Sequence, residues 1–357
     1  MRMSKTALVF TPKYCEHDTG AGHPESPKRV QVILDELKNL DLCSDSGVCE
    51  ILEPAPAGIE TLKLVHTEQH IRLVRRTCEH GGGILDLGDT VASPQSYDVA
   101  RYAVGGAVRA VDAVLSGEFK NAFALVRPPG HHAGRSYAMG FCLFNNVAIA
   151  ATYILKRLRL NRVLVVDIDA HHGNGTQEIF YNTSKVLYLS LHEDPHEFPG
   201  TGFIDETGEG KGVGFTVNIP LPYGASDKSY IHAIDTILVP ITQQYSPEFI
   251  LVSTGYDGHF SDPVGRLGLS SLSYRVAFNR ILNLASTLCG DRLVTVLEGG
   301  YSVTYLGKLV ALTLSRMAGV PYAMVDENRT MHPAAEKQAG KVIEAVKEIQ
   351  SAFWSLH

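Results

Sequence analysis

The sequence predicts an α/β fold: a mostly parallel central sheet with helices on both faces. Short runs such as Ala122–Val126, Val163–Val166, Phe249–Ser253 and Leu293–Leu297 are apolar at nearly every position, as expected of strands buried on both sides. Between them lie longer stretches with apolar residues three and four apart, the pattern of amphipathic helices. A third observation locates the chemistry. All four runs end abruptly in polar motifs, and in a parallel sheet those ends share one edge, where the ligands of open α/β sheets gather.

Composition narrows the class. At 357 residues the chain can bury a large core, and no linker, internal repeat or low-complexity segment divides it. A single domain over 1–357 is expected, with its core at about 5–310 and C-terminal helices over 311–357 packed on it. Hydrophobic content of 45% and charged content of 20% exclude disordered and fibrous classes. The net charge is −6 and no run of basic residues occurs, so no direct nucleic-acid binding is expected. No membrane span is expected either, and the N-terminus lacks the pattern of a secretion signal. The expected location is cytoplasmic, or nuclear in a eukaryote. Six scattered cysteines without a Cys-x-x-Cys pair read as reduced thiols.

Taken in order, Ala7–Phe10 reads as the first strand, and 11–25 as a loop rich in Gly and His, more simply a surface connection than the flank of a site. Ser26-Pro27 opens a helix with Ser as its cap, and Val30, Ile33, Leu34 and Leu37 form its apolar stripe. Residues 61–79 read as one helix stopped by Gly81–Gly83. His66 and His70 lie four apart on it but outside any His-Glu-x-x-His pattern, so they read as solvated or capping side chains. In the helix Ser96–Ser116, the small residues Ala103, Gly105, Gly106 and Ala107 imply close packing. A helix follows from Asn145-Asn146 to about Leu158, then a short one near Gln177–Tyr181 and a strand at Lys185–Leu191. The glycine-rich stretch 198–214 reads as a mobile loop, since its Gly-Lys is not followed by the Ser or Thr of a phosphate loop. Phe215–Ile219 is a strand, Asp227–Tyr245 a helix bent or interrupted at Pro240, and Ser271–Leu288 a helix closed by Gly290. Residues 302–357 read as helical, with Val342, Ile343, Val346, Ile349 and Phe353 facing the core.

The run Val163–Val166 leads into Asp167-Ile168-Asp169-Ala170-His171-His172. If the chain stays extended, Asp167, Asp169 and His171 point to one side. Mixed oxygen and nitrogen donors suit zinc. The run Ala122–Val126 ends in Arg127-Pro-Pro-Gly130-His131-His132, whose prolines let both imidazoles turn inward. The remaining two end at Asp257 and Tyr301. Asp169, His171 and Asp257 then form a three-ligand set with an open position, the arrangement of a catalytic zinc. His131 and His132 are candidates for proton transfer, and Asp167 is placed to hold one imidazole. Tyr301 can donate to an oxygen that gains charge. The set fits amide hydrolysis by metal-activated water without an acyl-enzyme. Phe141 and Phe198, each beside a glycine or a Pro-Gly turn, can wall a narrow tunnel for an aliphatic stem.

These strings resemble the histone deacetylase superfamily, particularly its class II-like members and their prokaryotic relatives. They are RPPGHH (127–132), GFCLFNN (140–146), DIDAHHGNGTQ (167–177), SLH (190–192), FPGTG (198–202), STGYD (253–257) and LEGGY (297–301), in family order over about 5–310. The resemblance implies the three-layer arginase/deacetylase fold, one catalytic zinc on Asp169, His171 and Asp257, a His131/His132 acid–base pair, and Tyr301 as oxyanion donor. It implies that Gly140, Phe141 and Phe198 line an acyl-lysine channel. It further implies structural potassium at Asp167, Asp169, His171, Ser190 and Leu191, mostly through backbone oxygens, and at Phe180, Thr183 and Val186. Arg29 corresponds to an arginine on an internal exit path and Asp89 to a polar residue at the substrate rim. Asn174 stands where class I members pair an Asp with the second histidine, so it should raise the pKa of His132 less than a carboxylate would. Val264 occupies a gatekeeper position where polyamine-selective members of one branch have Glu, which disfavours polyamine specificity.

The function implied is removal of acetyl or other acyl groups from N-ε-acyl-lysine in proteins or peptides. The alternatives are a deacetylase of small acetylated amines such as acetylpolyamines, as bacterial acetylpolyamine amidohydrolases are, a non-catalytic acyl-lysine binding protein, and a two-manganese ureohydrolase of the same fold class.

Overall fold

Strands that are apolar on both faces need helices on both sides, and helices separate most of the sheet's strands along the chain. The structure is a computed structural model that describes residues 5–43, 48–157, 160–326 and 332–356. The strands are β1 (Lys5–Val9), β2 (Cys49–Leu52), β3 (Gly83–Ile84), β4 (Val91–Ala92), β5 (Phe119–Ala124), β6 (Val163–Asp167), β7 (Val186–Glu193), β8 (Thr216–Leu221), β9 (Phe249–Thr254) and β10 (Leu293–Leu297). The helices are α1 (Pro27–Asn39), α2 (Ile59–Leu62), α3 (Glu68–Glu79), α4 (Ser96–Leu115), α5 (Asn146–Arg157), α6 (Asn174–Phe180), α7 (Asp227–Ala233), α8 (Val239–Tyr245), α9 (Ser271–Cys289), α10 (Leu306–Ala318) and α11 (Pro333–Gln350).

Eight strands form one sheet in the order β2-β1-β5-β10-β9-β6-β7-β8, and every pairing in it is parallel. The short β3 and β4 pair antiparallel as a separate hairpin. Period-two alternation divides the core between the two faces. Leu164 and Val166 of β6 join α1, α7, α8, α9, α10 and α11. Val163 and Val165 join α3, α4 and α5. The result is a single α/β domain of three layers. Parallel pairing also brings the carboxyl ends of β5, β6, β9 and β10 to one edge, with Asp167 in register with both Ser190 of β7 and Ser253 of β9.

Close packing at the small residues of α4 is literal. A Cβ at Gly105 would lie 1.9 Å from the Ala55 carbonyl oxygen, and one at Gly106 would lie 2.5 Å from the Tyr14 hydroxyl.

Several elements differ from expectation. The helix over 61–79 is two pieces, α2 and α3, because Thr67 caps a new start by accepting from the His70 amide at 3.2 Å. Ser26 occupies the N-cap of α1 without a side-chain capping bond. The helix over 227–245 is interrupted by a π-helical turn at Ile234–Leu238, and α8 restarts after it with Pro240 in its first turn, where a missing N–H costs little. The loop over 11–25 contains a 3-10 turn, and its His17 and Glu25 are fully buried rather than solvated. Phe353 lies beyond α11 and remains 41% exposed, although its ring covers Gly214. Leu158 falls outside the described residues. Among the described residues, no helix is long and apolar enough to cross a membrane.

Candidate active site

The site begins with how the end of β5 is held. Arg127 is fully buried; its Nε donates to Glu25 Oε1 at 2.7 Å, and its Nη1 donates to the carbonyls of Tyr14 and His17 at 2.9 and 2.6 Å. Arg29 shares the same carboxylate oxygen at 3.1 Å and donates to the carbonyls of Gly300 and Glu298. Burial pushes the Glu25 carboxyl up, but the two guanidinium charges outweigh it and hold its pKa down at about 2. This buried Arg–Glu–Arg group ties the segment after β10 to the segment after β5.

Glu298 reinforces the tie. Its Oε2 accepts the backbone N–H groups of Gly130 and His131 at 2.6 and 3.2 Å, and its Oε1 accepts from Ser253 Oγ at 3.0 Å. From the other side, His66 accepts the Asn145 N–H at 2.9 Å and pairs with the Gly134 carbonyl at 2.9 Å, while His70 pairs with the Leu143 carbonyl at 2.9 Å. Both histidines are buried, not solvated or capping. Their partners belong to a loop distant in sequence, which only the fold brings near.

The paired imidazoles lie with ring centroids 4.0 Å apart and their planes tilted by 48°. His131 donates from Nδ1 to Asp167 Oδ2 at 3.0 Å, and Tyr188 donates to the same oxygen at 3.0 Å. His132 donates from Nδ1 to Asn174 Oδ1 at 2.7 Å. Each ring therefore leaves Nε2 free for chemistry. Burial disfavours charge on both, yet the outcomes diverge. For His131, the carboxylates of Asp167 and Asp169 overcome burial and raise the pKa to about 10. For His132, burial and the neighbouring His131 charge act together and push the pKa well below its ordinary value. Two like groups driven apart in this way have separate acid and base roles within reach.

Asp169, His171 and Asp257 converge, with one ligand atom from each lying within 4.8 Å of the others. His171 Nδ1 is 3.0 Å from Asp257 Oδ2 and 3.3 Å from Asp169 Oδ1. Two donors each about 2.1 Å from a tetrahedral ion sit roughly 3.4 Å apart, so the cluster fits zinc. The Ala170 amide donates to the other oxygen of Asp257 at 2.9 Å, and the Gly299 amide to the other oxygen of Asp169 at 2.8 Å. Backbone thus fixes the far oxygen of each carboxylate, and the His171 N–H also donates to Asp169 Oδ1 at 2.9 Å, so Asp169 is held at both oxygens. Asp167 does not share this face. β6 ends at Asp167 and the chain turns, so the period-two alternation lapses and Asp167 backs His131 instead.

Tyr301 is 9% exposed, its ring edge-on to Phe141 at 5.8 Å and beneath the Arg29 guanidinium at 4.9 Å. Its backbone N–H donates to Asp262 Oδ2 at 2.6 Å. Burial holds the phenol well above its ordinary pKa, so it stays a donor at neutral pH. A cavity of about 240 Å³ is lined by His132, His171 and Tyr301, by Gly140, Phe141 and Phe198, and by Asp89 and Val264. The sequence reading missed four further lining residues, Glu193, Glu197, Tyr223 and Arg266. Gly140 has φ +55°, and a Cβ there would lie 2.4 Å from His132 Cδ2. Gly140 therefore packs directly against His132.

The loop over 198–214 is irregular but tied down: His192 pairs with the Gly202 carbonyl at 2.9 Å and His172 with Thr201 Oγ1 at 3.1 Å. Of the residues expected to hold potassium, Asp167, Ser190 and Leu191 lie at the carboxyl ends of β6 and β7, whereas Phe180, Thr183 and Val186 lie between the end of α6 and the start of β7. A larger surface cleft, about 710 Å³, gathers Asp227, Lys228, Arg275 and Asp326. Its acids are already committed, since Asp227 accepts the Ser270 N–H at 2.8 Å and Asp326 the Ser271 N–H at 2.9 Å.

Sheet and site together define a class: a hydrolase of amides built on a parallel α/β sheet. The chain belongs to the histone deacetylase family, whose histone deacetylase domain profile matches residues 23–317. A probable deacetylase of Archaeoglobus fulgidus is 40% identical over 363 residues, covering 98% of both chains. A histone deacetylase-like amidohydrolase of Pseudomonas aeruginosa is 38% identical, covering 87% of this chain and 80% of its own. The crystal structure of the HDA15 HD domain superposes with a TM-score of 0.87 at 35% identity, covering 98% of this chain and 97% of that one.

Proposed function

We propose that the chain is a zinc-dependent hydrolase that removes acetyl or other acyl groups from N-ε-acyl-lysine in peptides or proteins. The observation that carries this reading is the buried Asp169–His171–Asp257 cluster opening into a cavity lined by His132 and Tyr301. A zinc ion bound there supplies a Lewis acid for the amide carbonyl and acidifies water. His132, neutral and held at Nδ1 by Asn174, takes the proton of the attacking water at Nε2. His131, held at Nδ1 by the buried Asp167 carboxylate, which favours its charged form, serves as a positive group beside the reacting carbon. The Tyr301 hydroxyl donates to the amide oxygen as it gains negative charge. The proton on His132 then passes to the lysine nitrogen as the C–N bond breaks, leaving a carboxylic acid and an amine, and the acid's proton passes to the amine to give a carboxylate and an ammonium group. Phe141 and Phe198 flank the aliphatic stem and exclude water from it. Potassium at the two positions named above belongs to the same proposal and is supported by family membership.

A second reading, hydrolysis of a small acetylated amine, is favoured by one observation. Asp89, Glu193 and Glu197 line the cavity against a single cation, Arg266, so its mouth attracts positive charge. Turnover of an acetyl-lysine peptide and of acetylspermidine by one preparation, with bound metal quantified, separates the two. The proposal expects a higher kcat/KM for the peptide and one zinc per chain. A strong preference for acetylspermidine overturns it in favour of the second reading. Peptide binding without acetate release from zinc-loaded protein would make the chain an acyl-lysine binder, and two transition ions per chain a ureohydrolase.

A further inference from the structure

We propose that Glu193 is a positioning residue for the metal ligand His171, its carboxylate accepting the N–H of the ring nitrogen that faces away from the ion. This rests on the zinc reading above.

The imidazole of His171 has two nitrogens with different surroundings. Nδ1 faces Asp169 and Asp257 at 3.3 and 3.0 Å, so it is the atom that presents a lone pair to a metal. A neutral ring then carries its proton on Nε2. Nε2 faces Glu193 Oε1 at 3.7 Å, and this is the carboxylate on that side of the ring. Glu193 is itself well anchored. Its backbone N–H donates to the Ala170 carbonyl at 2.7 Å, which locks the end of β7 to the ligand-bearing segment. Its Oε2 accepts the Arg266 backbone N–H at 2.6 Å. One oxygen is thus fixed and the other is left for the histidine.

The 3.7 Å separation is about 0.5 Å beyond a hydrogen bond, a gap that rotation of the outer carboxylate closes while Oε2 stays near its anchor. With Nδ1 turned to an ion held by Asp169 and Asp257, the ring proton is on Nε2, and a carboxylate 3.7 Å away in a buried pocket stabilises it there. Glu197 cannot substitute. It is 63% exposed and is ion-paired with the Arg266 side chain at 2.6 Å. Metal-bound histidines commonly donate their second N–H to a carboxylate, which fixes the tautomer and ring orientation. Glu193 supplies that partner from a strand that contributes no side chain to the metal cluster.

The test uses zinc itself as the probe and the full chain as the protein. Glu193→Gln keeps an oxygen for the Arg266 N–H but replaces the charged acceptor facing His171. Chelator competition is expected to show zinc binding weakened about tenfold or more, while the melting temperature of the metal-free protein stays at the wild-type value. Glu193→Ala is the second variant and should weaken zinc at least as much. Zinc dissociation constants within twofold of wild type in both variants would overturn the role of Glu193 and leave the zinc reading standing. A fall in metal-free melting temperature that accounts for the lost affinity would also overturn it, by making Glu193 merely structural. A wild-type chain without zinc affinity would overturn the metal reading and this proposal with it.

Discussion

Replacing Tyr301 by Phe removes one oxygen atom from the cavity and little else. The ring stays wedged between Phe141 and the Arg29 guanidinium, at 5.8 and 4.9 Å, and its backbone N–H stays on Asp262. Among the described residues the hydroxyl makes no hydrogen bond to protein, so the fold should lose no more than about 1 kcal/mol. What is lost is a donor that acts on the amide oxygen only as charge develops. Donors of that kind are worth ~3–4 kcal/mol, a factor of roughly 100 to 1,000 in kcat. On the proposed reading, an acyl-lysine stem lies against Phe141 and Phe198, which the substitution leaves in place, so KM should change little. The assay is steady-state acetate release from an acetyl-lysine peptide, with zinc content and melting temperature measured on the same samples. A Tyr301→Phe enzyme with kcat within tenfold of wild type and equal zinc would refute the assignment.

Three further outcomes follow from the same geometry. Gly140→Ala forces a Cβ to 2.4 Å from His132 Cδ2; displacing the base by this much should cost about 100-fold in kcat/KM while bound zinc is retained, read by kinetics and metal analysis. His66→Phe strands the Asn145 N–H and the Gly134 carbonyl in the interior, and two such groups cost roughly 2–6 kcal/mol, measurable as a lower denaturation midpoint. Stability should also fall in acid. Burial lowers the His17 pKa from 6.5 to about 4 in the fold, so its contribution is complete above pH 6.5 and is lost as pH drops through about 4, on the order of 3 kcal/mol. Glu25, held at about 2 against an ordinary 4.5, adds a second decline between those values. Melting temperature against pH should show both limbs, and His17→Gln should abolish the upper one.

The sequence made the sheet legible because its strands are buried on both faces, and runs such as Val163–Val166 leave little else to read. It made the site legible because parallel strands put the motifs after β5, β6, β9 and β10 on one edge. Where reading failed, the cause was a contact between distant segments. Period-two alternation puts Asp167 on the side of Asp169 and His171 only while a strand continues, and β6 stops there; its other expected place, holding an imidazole, is where it lies, 3.0 Å from His131 Nδ1. His66 and His70 looked solvated because their partners lie more than sixty positions away, at Gly134, Leu143 and Asn145. Glu298 and Glu193 bind backbone N–H groups of other segments, and such recognition leaves no pattern in the residues that donate. The edge strand β2 and the two-residue strands β3 and β4 are too short to show periodicity at all.

The central claim is that Asp169, His171 and Asp257 hold one zinc ion that the hydrolysis requires. Zinc per chain, together with acetate release from an acetyl-lysine peptide, should be measured for the wild type and for Asp257→Ala. The account predicts one zinc in the wild type, release that a chelator abolishes and added zinc restores, and loss of both metal and turnover in the variant. Undiminished release by metal-free protein, or full turnover by Asp257→Ala, would contradict it.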